Sequence, residues 1–336
     1  MASFFSSAGS FLITVLASVF VFGIVIFIHE LGHFLTAKFS GIQVNEFALG
    51  MGPTLFSFTR GGTKYGLRLF PIGGFVSMEG EDEESEEAGS FTKAPVGNRI
   101  LVTVAGAVMN LLLGFVVLVC VVCSQQLIST RTVAEFYEGS STQQSGLQVG
   151  DTIVAVNGRR CFIANDIIYE FARTQQGQAD LTVLRDGKRV QLDNVVFDTY
   201  EENGVNQLVI DFKVLGEKKT VGSVLKEAGN WTLSLGRMVV LSLTDLITGR
   251  IAVNNLSGPV GIVSAISEAS SLGLSSLLML LALITINLGI FNLLPIPALD
   301  GGHVLFLFYE IIARRKPSDK FMEYAQMGGM LFLFAL

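Results

Sequence analysis

The chain has 336 residues, half of them hydrophobic and only 15% charged, and its mean hydropathy is +0.55. Soluble domains carry about 25% charged residues, so this composition argues against a purely soluble protein. The net charge of −6 is local, because seven acids fall between Glu79 and Ala88 (EGEDEESEEA), a run expected to be a solvated loop; the absence of a basic face or aromatic-basic interleaving argues against a nucleic-acid partner.

In chain order, the apolar residues gather into runs. No charge occurs in the first 28 residues, between Arg99 and Arg131, or between Glu268 and Asp300. Each run exceeds the roughly 20 residues that cross a bilayer as a helix. Ala8–Phe34 reads as the first span, since it lacks the basic start and small-residue cleavage site of a signal peptide. Val44–Phe58 and Lys64–Met78 alternate apolar and polar residues around glycines and are expected as β-hairpins at or within the membrane. Ile100–Ser124 is the second span. It contains Cys120 and Cys123, read as small buried thiols, and three cysteines make no disulfide framework.

Residues 131–215 are expected to form a small soluble α+β domain. Val133–Phe136 and Thr152–Val156 read as strands, Asn157–Gly158 as a tight turn and Asn165–Arg173 as a helix. Leu181–Leu184 and Arg189–Leu192 flank Asp186–Gly187 as a hairpin. Trp231–Ile247 carries Arg237 and Asp245 and fits an interfacial amphipathic helix better than a crossing. Ser271–Ile312 is too long for one crossing, and NLLPIPALDGG interrupts it. Broken backbone at membrane depth is tolerated only where it faces protein or a water-filled cavity. A last span from Met322 stops at Leu336 with fewer uncharged residues than a crossing needs, so the chain reads as truncated there.

Lys and Arg set the orientation. The segment Lys38–Arg99 has six and Arg314–Lys320 has four, whereas none precedes the first span. Both basic loops are expected in the cytoplasm and residues 125–270 outside. The expected fold is a polytopic α-helical membrane protein with about four transmembrane helices, membrane-associated β-hairpins and an inserted extracytoplasmic α+β domain. Its expected divisions are 1–124, 125–215, 216–270 and 271–336.

The string FIHELGHFLTAKF carries the chemistry. On a helix, His29 and His33 lie four residues apart on one face, where both imidazoles can bind one Zn²⁺, with Glu30 placed to act on water. In a chain with three histidines this pairing arises by chance roughly once in a thousand. Two core histidines would leave a glutamate inside a membrane helix unexplained, at a cost of at least about 2.5 kcal/mol on insertion scales. A catalytic zinc usually has three protein ligands, and Asp300 is the acid at the interruption of the broken third span. It stands at a helix N-cap position, which is compatible with ligation. His303 is read as a capping or supporting group.

HELGH in the first span together with NLLPIPALDGGH in a later one resembles the site-2 protease family, specifically the bacterial RseP type of intramembrane zinc metalloprotease with a single PDZ domain. The string SGLQVGDTIVAVNG at 145–158 resembles the PDZ signature, although VAEFYEGS stands where peptide-tail-binding PDZ domains have GLGF. The resemblance covers nearly the whole chain. It implies His29, His33 and Asp300 as zinc ligands and Glu30 as general base. It also implies substrate handling by Asn292, Pro295 and Pro297, and a membrane-reentrant β-loop around Gly73–Gly74. Its implied partners are single-span membrane proteins already trimmed by another protease, such as anti-sigma factors or signal-peptide remnants, in the lipid of a bacterial plasma membrane. One departure is AGAVMN at 105–110, where relatives commonly have AGP. It is expected to affect packing alone, and Asn110 is retained. Two rivals are a non-enzymatic PDZ-containing scaffold, which predicts that Glu30→Gln leaves function intact, and a metal transporter, which leaves the placement of Glu30 unexplained.

Overall fold

Helix α1 (Ala2–Phe39) runs unbroken through the first apolar stretch, and its last third carries the HELGH residues. The computed structural model describes residues 2–81, 85–174, 177–202, 205–249 and 258–335. Part of the acidic run (82–84) and part of the connecting segment (250–257) therefore lie outside the described residues. Among the described residues, three helices are long and apolar enough to cross a membrane, with spans at Phe11–Phe39, Val96–Ser124 and Leu274–Leu293. The chain divides into two compact units, Leu118–Met238 and the remainder.

In the larger unit α1 is followed by one β-sheet. Strands β1 (Val44–Arg60) and β2 (Thr63–Met78) join at Gly61–Gly62, both at positive φ. The two segments expected as hairpins thus pair with each other, antiparallel, and the register is double. Phe47 faces Val76 as well as Tyr65, and Leu49 faces Gly74 as well as Leu67. Both strands double back to achieve this. Gly50 and Gly52 make the bend in β1 (φ 83° and 85°) and Gly73 makes it in β2 (φ 81°), a region that residues with a Cβ seldom adopt. The stretch Gly74–Met78 is left at the sheet's edge. Phe56, Phe58 and Phe70 of the sheet are each at least half exposed.

Helix α2 (Val96–Ser124) packs tightly on α1 through small residues: a Cβ on Gly32 would lie 2.5 Å from the Ala105 carbonyl oxygen. After the strands and helices of the second unit come α6 (Pro259–Leu272), which packs on α1, and α7 (Leu274–Leu293). The chain then leaves helical geometry for six residues and resumes as α8 (Asp300–Ala313) and α9 (Asp319–Ala335). The expected interruption of the third span is therefore real. The two glycines after Asp300 explain how it folds. A Cβ on Gly302 would stand 2.5 Å from the Ile296 carbonyl oxygen, and one on Gly301 would collide with that of Leu294. Only glycine lets the prolyl segment lie so close over the first turn of α8. Ala298 in that segment takes a left-handed φ of 78°, a costly conformation for a residue with a Cβ.

The smaller unit is α+β. Its sheet has the order β10 (Phe212–Glu217), β3 (Ile128–Phe136), β4 (Thr152–Val156), β6 (Gln178–Arg185), β7 (Lys188–Val196), with the short β5 (Arg159–Arg160) beside β4. A second pair, β8 (Thr199–Glu202) and β9 (Val205–Leu208), stands apart; α3 (Ser141–Gln144) and α4 (Ala164–Ala172) complete the fold. The turns expected at Asn157–Gly158 and Asp186–Gly187 form, each with two successive positive φ values, 49° and 73° at the first and 49° and 76° at the second, as type I′ hairpin turns require. Leu147, Ile153, Phe171, Leu181 and Val183 fill the core. The early part of α5 (Val221–Ile247) closes one side: Arg237 reaches Asp166 (3.2 Å) and Glu170 (2.9 Å), two fully buried carboxylates.

Candidate metal centre

The helical spacing in α1 does what the sequence predicts: the His29 and His33 rings meet edge to face, with their Nε2 atoms 3.2 Å apart. Asp300, at the first turn of α8, brings Oδ2 to 3.4 Å from His29 Nε2 and 3.5 Å from His33 Nε2. The three atoms form a nearly equilateral triangle. A tetrahedral zinc with bonds of about 2.0–2.1 Å sets its ligand atoms about 3.3–3.4 Å apart, so the donor set and its spacing fit that ion. Asp300 Oδ2 is buried and accepts no hydrogen bond, as an oxygen reserved for another partner should be. These three residues are the one group with metal-ligand spacing among the described residues.

What aims the two rings comes from α2. His33 Nδ1 lies 2.8 Å from the Val102 carbonyl oxygen, which can only accept. The hydrogen therefore sits on Nδ1, and the Nε2 lone pair is turned toward the triangle. One turn on, Gly106 lies flat beneath both rings. A Cβ there would collide with His33 Nε2 and stand 2.7 Å from His29 Cε1. A further turn on, the Asn110 carboxamide lies 3.3 Å from His29 Nδ1, and the Asn292 carboxamide of α7 lies 3.5 Å from the same atom.

A cavity of about 320 Å³ opens onto this group, lined by His29, Glu30 and His33 on one side, by Phe75, Val76 and Met78 of the sheet edge, and by Asp300. Gly74 holds the edge strand against the glutamate. An added Cβ would lie 3.0 Å from Glu30 Cγ and 3.1 Å from Ile26. At the far end of the cavity Arg99 of α2 grips Glu310 of α8 through two hydrogen bonds of 2.6 and 3.0 Å.

The structure thus brings His29, Glu30, His33, Asp300, Asn292 and Gly74 to one place. Gly73 shapes the bend before the edge strand and would press on Met51 if it bore a Cβ. Pro295 and Pro297 lie in the prolyl segment over α8, away from this cavity; Pro297 borders a separate groove with Leu305 and Tyr309. His303 does line the cavity, three residues beyond Asp300, facing Gln326. Sequence reasoning assigned no role to Val102 or Gly106 and noted Asn110 only as retained. The available signal was their spacing of four along α2, with a polar carboxamide at the end of the stripe inside an uncharged span.

Residues 17–336 match the model of Peptidase family M50. A Clostridium perfringens protein with a zinc-metalloprotease name is 34% identical over 324 residues, covering 96% of this chain and 95% of its own length. The regulator of sigma-W protease RasP of Bacillus subtilis is 30% identical over 409 residues, covering 97% of this chain and 96% of its own. The zinc metalloprotease RasP of Bacillus licheniformis is 30% identical over 407 residues, with 96% coverage of both.

Proposed function

This chain belongs to peptidase family M50, the site-2 metalloproteases, and on that premise we propose that His29, His33 and Asp300 hold its zinc ion while Glu30 is the general base. It is an intramembrane zinc protease. The observation that carries the residue assignment is the triangle of Nε2, Nε2 and Oδ2 atoms at zinc-ligand spacing.

Zinc, when bound, supplies Lewis acidity, which polarises a carbonyl and acidifies water. Glu30, in the cavity beside the triangle, takes the proton of the attacking water and passes it to the leaving amine. A helical substrate must first lose its i→i−4 hydrogen bonds around the scissile peptide. The edge strand Gly74–Met78 offers unpaired backbone that can hold an unwound segment by β-augmentation, and its side chains already border the cavity. Gly73 sets the bend that presents this edge, and Gly74 lets it approach Glu30. Asn292 is placed to bond freed substrate backbone. Pro295 and Pro297 act through the shape of the segment that seats Asp300.

Four crossings are proposed, the fourth within α9, with the metal centre toward the cytoplasmic face of a bacterial plasma membrane and the exposed aromatic residues of the sheet in contact with lipid. The division into 1–124, 125–215, 216–270 and 271–336 is retained. Its second part is a PDZ-like domain on the opposite side, acting as a size filter. The substrates are single-span membrane proteins whose outer domain another protease has trimmed; the Bacillus subtilis relative is named for regulating sigma-W, which favours an anti-sigma factor or a comparable short remnant.

The test is cleavage of a single-span model substrate by the purified protein in detergent. Native protein should cut it, chelation should abolish cutting, and Glu30→Gln should abolish it with zinc still bound. Unchanged cleavage by Glu30→Gln would refute the assignment. Deleting residues 125–215 should admit untrimmed substrates; continued rejection would refute the filter.

A further inference from the structure

We propose that Asn110 is a positioning residue for the metal centre, its carboxamide oxygen accepting the Nδ1 hydrogen of His29 and so turning the His29 Nε2 lone pair toward the triangle. The proposal rests on the reading of His29 as a ligand.

A neutral imidazole carries one hydrogen. If Nε2 of His29 is to give its lone pair to a cation, that hydrogen must be on Nδ1 and needs an acceptor. Asn110 is fully buried, its amide group is 3.3 Å from Nδ1, and its Oδ1 has no hydrogen-bond partner. A half-turn of the carboxamide, which exchanges oxygen and nitrogen in nearly the same volume, sets the oxygen against the ring N–H. The half-turn also makes His29 match His33, whose Nδ1 already has the Val102 carbonyl as acceptor. Val102, Gly106 and Asn110 then form one stripe of α2 at intervals of four: an acceptor for the first ring, space for both, and an acceptor for the second. Asn292 reaches the same nitrogen from α7 at a longer 3.5 Å, which leaves the fully buried Asn110 as the nearer partner. The Gly106 backbone also contacts His29, and this sets the competing explanation: the backbone carbonyl alone fixes the ring.

The experiment measures zinc affinity of the full-length protein in detergent by competition with a chromogenic chelator, together with kcat and KM at saturating zinc. Asn110→Ala should weaken zinc about 10–100-fold and lower kcat with KM unchanged. Asn110→Asp supplies an acceptor of the same size and should hold zinc within about threefold of the native protein, rescuing what Ala loses. Native affinity in Asn110→Ala would overturn the proposal in favour of the Gly106 carbonyl. Asp as weak as Ala would overturn it in favour of packing, and Asp decides alone if Ala does not fold. His29→Ala, run alongside, separates the levels: if it keeps zinc, the ligand reading itself fails, whereas loss there with native affinity in Asn110→Ala removes only this proposal.

Discussion

The two compact units differ in how they treat certain buried acceptor oxygens. In the α+β unit each buried carboxylate is fully engaged. Asp151 receives Arg185 at 2.7 and 2.8 Å and the Gln148 N–H; Asp211 receives Thr142 through both its hydroxyl (2.6 Å) and its N–H (3.0 Å), as well as Ser140. Asp166 and Glu170 share Arg237, with Ser234 and Arg159 completing the network. In the membrane unit the oxygen atoms that matter, Asp300 Oδ2 and Asn110 Oδ1, are buried without a donor. An unmade hydrogen bond in the interior costs roughly 1–3 kcal/mol. The engaged carboxylates secure the fold of their unit, whereas these two oxygens stand beside the proposed metal centre.

The sharpest test of this contrast is Glu30→Gln, which should lower cleavage about 10²–10⁴-fold without loss of zinc, read by turnover and metal content on the same sample. Next comes Gly106→Ala. Its methyl group would enter the space of both rings, and zinc affinity should fall by at least about tenfold. Gly97→Ala, in the same helix but with nothing within 4 Å of the added carbon, should match the native protein. Equal behaviour of the two would mean that the rings are not seated by α2. In the other unit, Arg237→Met leaves Asp166 and Glu170 short of a partner and should destabilise that unit by about 3 kcal/mol. Limited proteolysis should report this as earlier cutting within 118–238, and zinc content should stay constant. A drop in zinc instead would join the two units functionally.

The smallest effect concerns Cys161. Burial, reinforced by the nearby Asp166, pushes its thiol up to about 12 from an ordinary value of 9. In the folded protein it should resist maleimide at neutral pH and react promptly once denatured. Because the folded value is the higher one, its contribution to stability is complete below pH 9 and declines between 9 and 12, where only the unfolded chain ionises. A melting temperature flat across that window in the native protein, with Cys161→Ala behaving identically, would disprove the linkage.

The membrane site was legible wherever its logic is local. The helical repeat alone pairs His29 with His33, and Asp300 stands out as the acid at the interruption of its broken span. The DGG glycines announced an interruption, and the structure adds why they are needed: the prolyl carbonyls press on α8. Two things were not legible. The doubling of β1 against β2 depends on glycines at positive φ far from any turn dipeptide, so two expected hairpins became one sheet with a folded register. The role of Gly106 and Asn110 arises only when α2 approaches α1, a distance that no local pattern encodes. The bond between Arg237 and α4 is of the same kind, a long-range pairing hidden inside an amphipathic stripe.

The proposed ligand triangle joins distant parts of the chain, since roughly 270 residues separate His33 from Asp300. Closing so long a loop is entropically costly and comes late in folding. On the proposed assignment, a chain still emerging from the ribosome presents HELGH with two of three ligands, in a form that cannot hold zinc as the finished site would. The order of synthesis acts as a safety catch: a protease that cuts within membranes becomes competent only after its last catalytic helix has been inserted and docked.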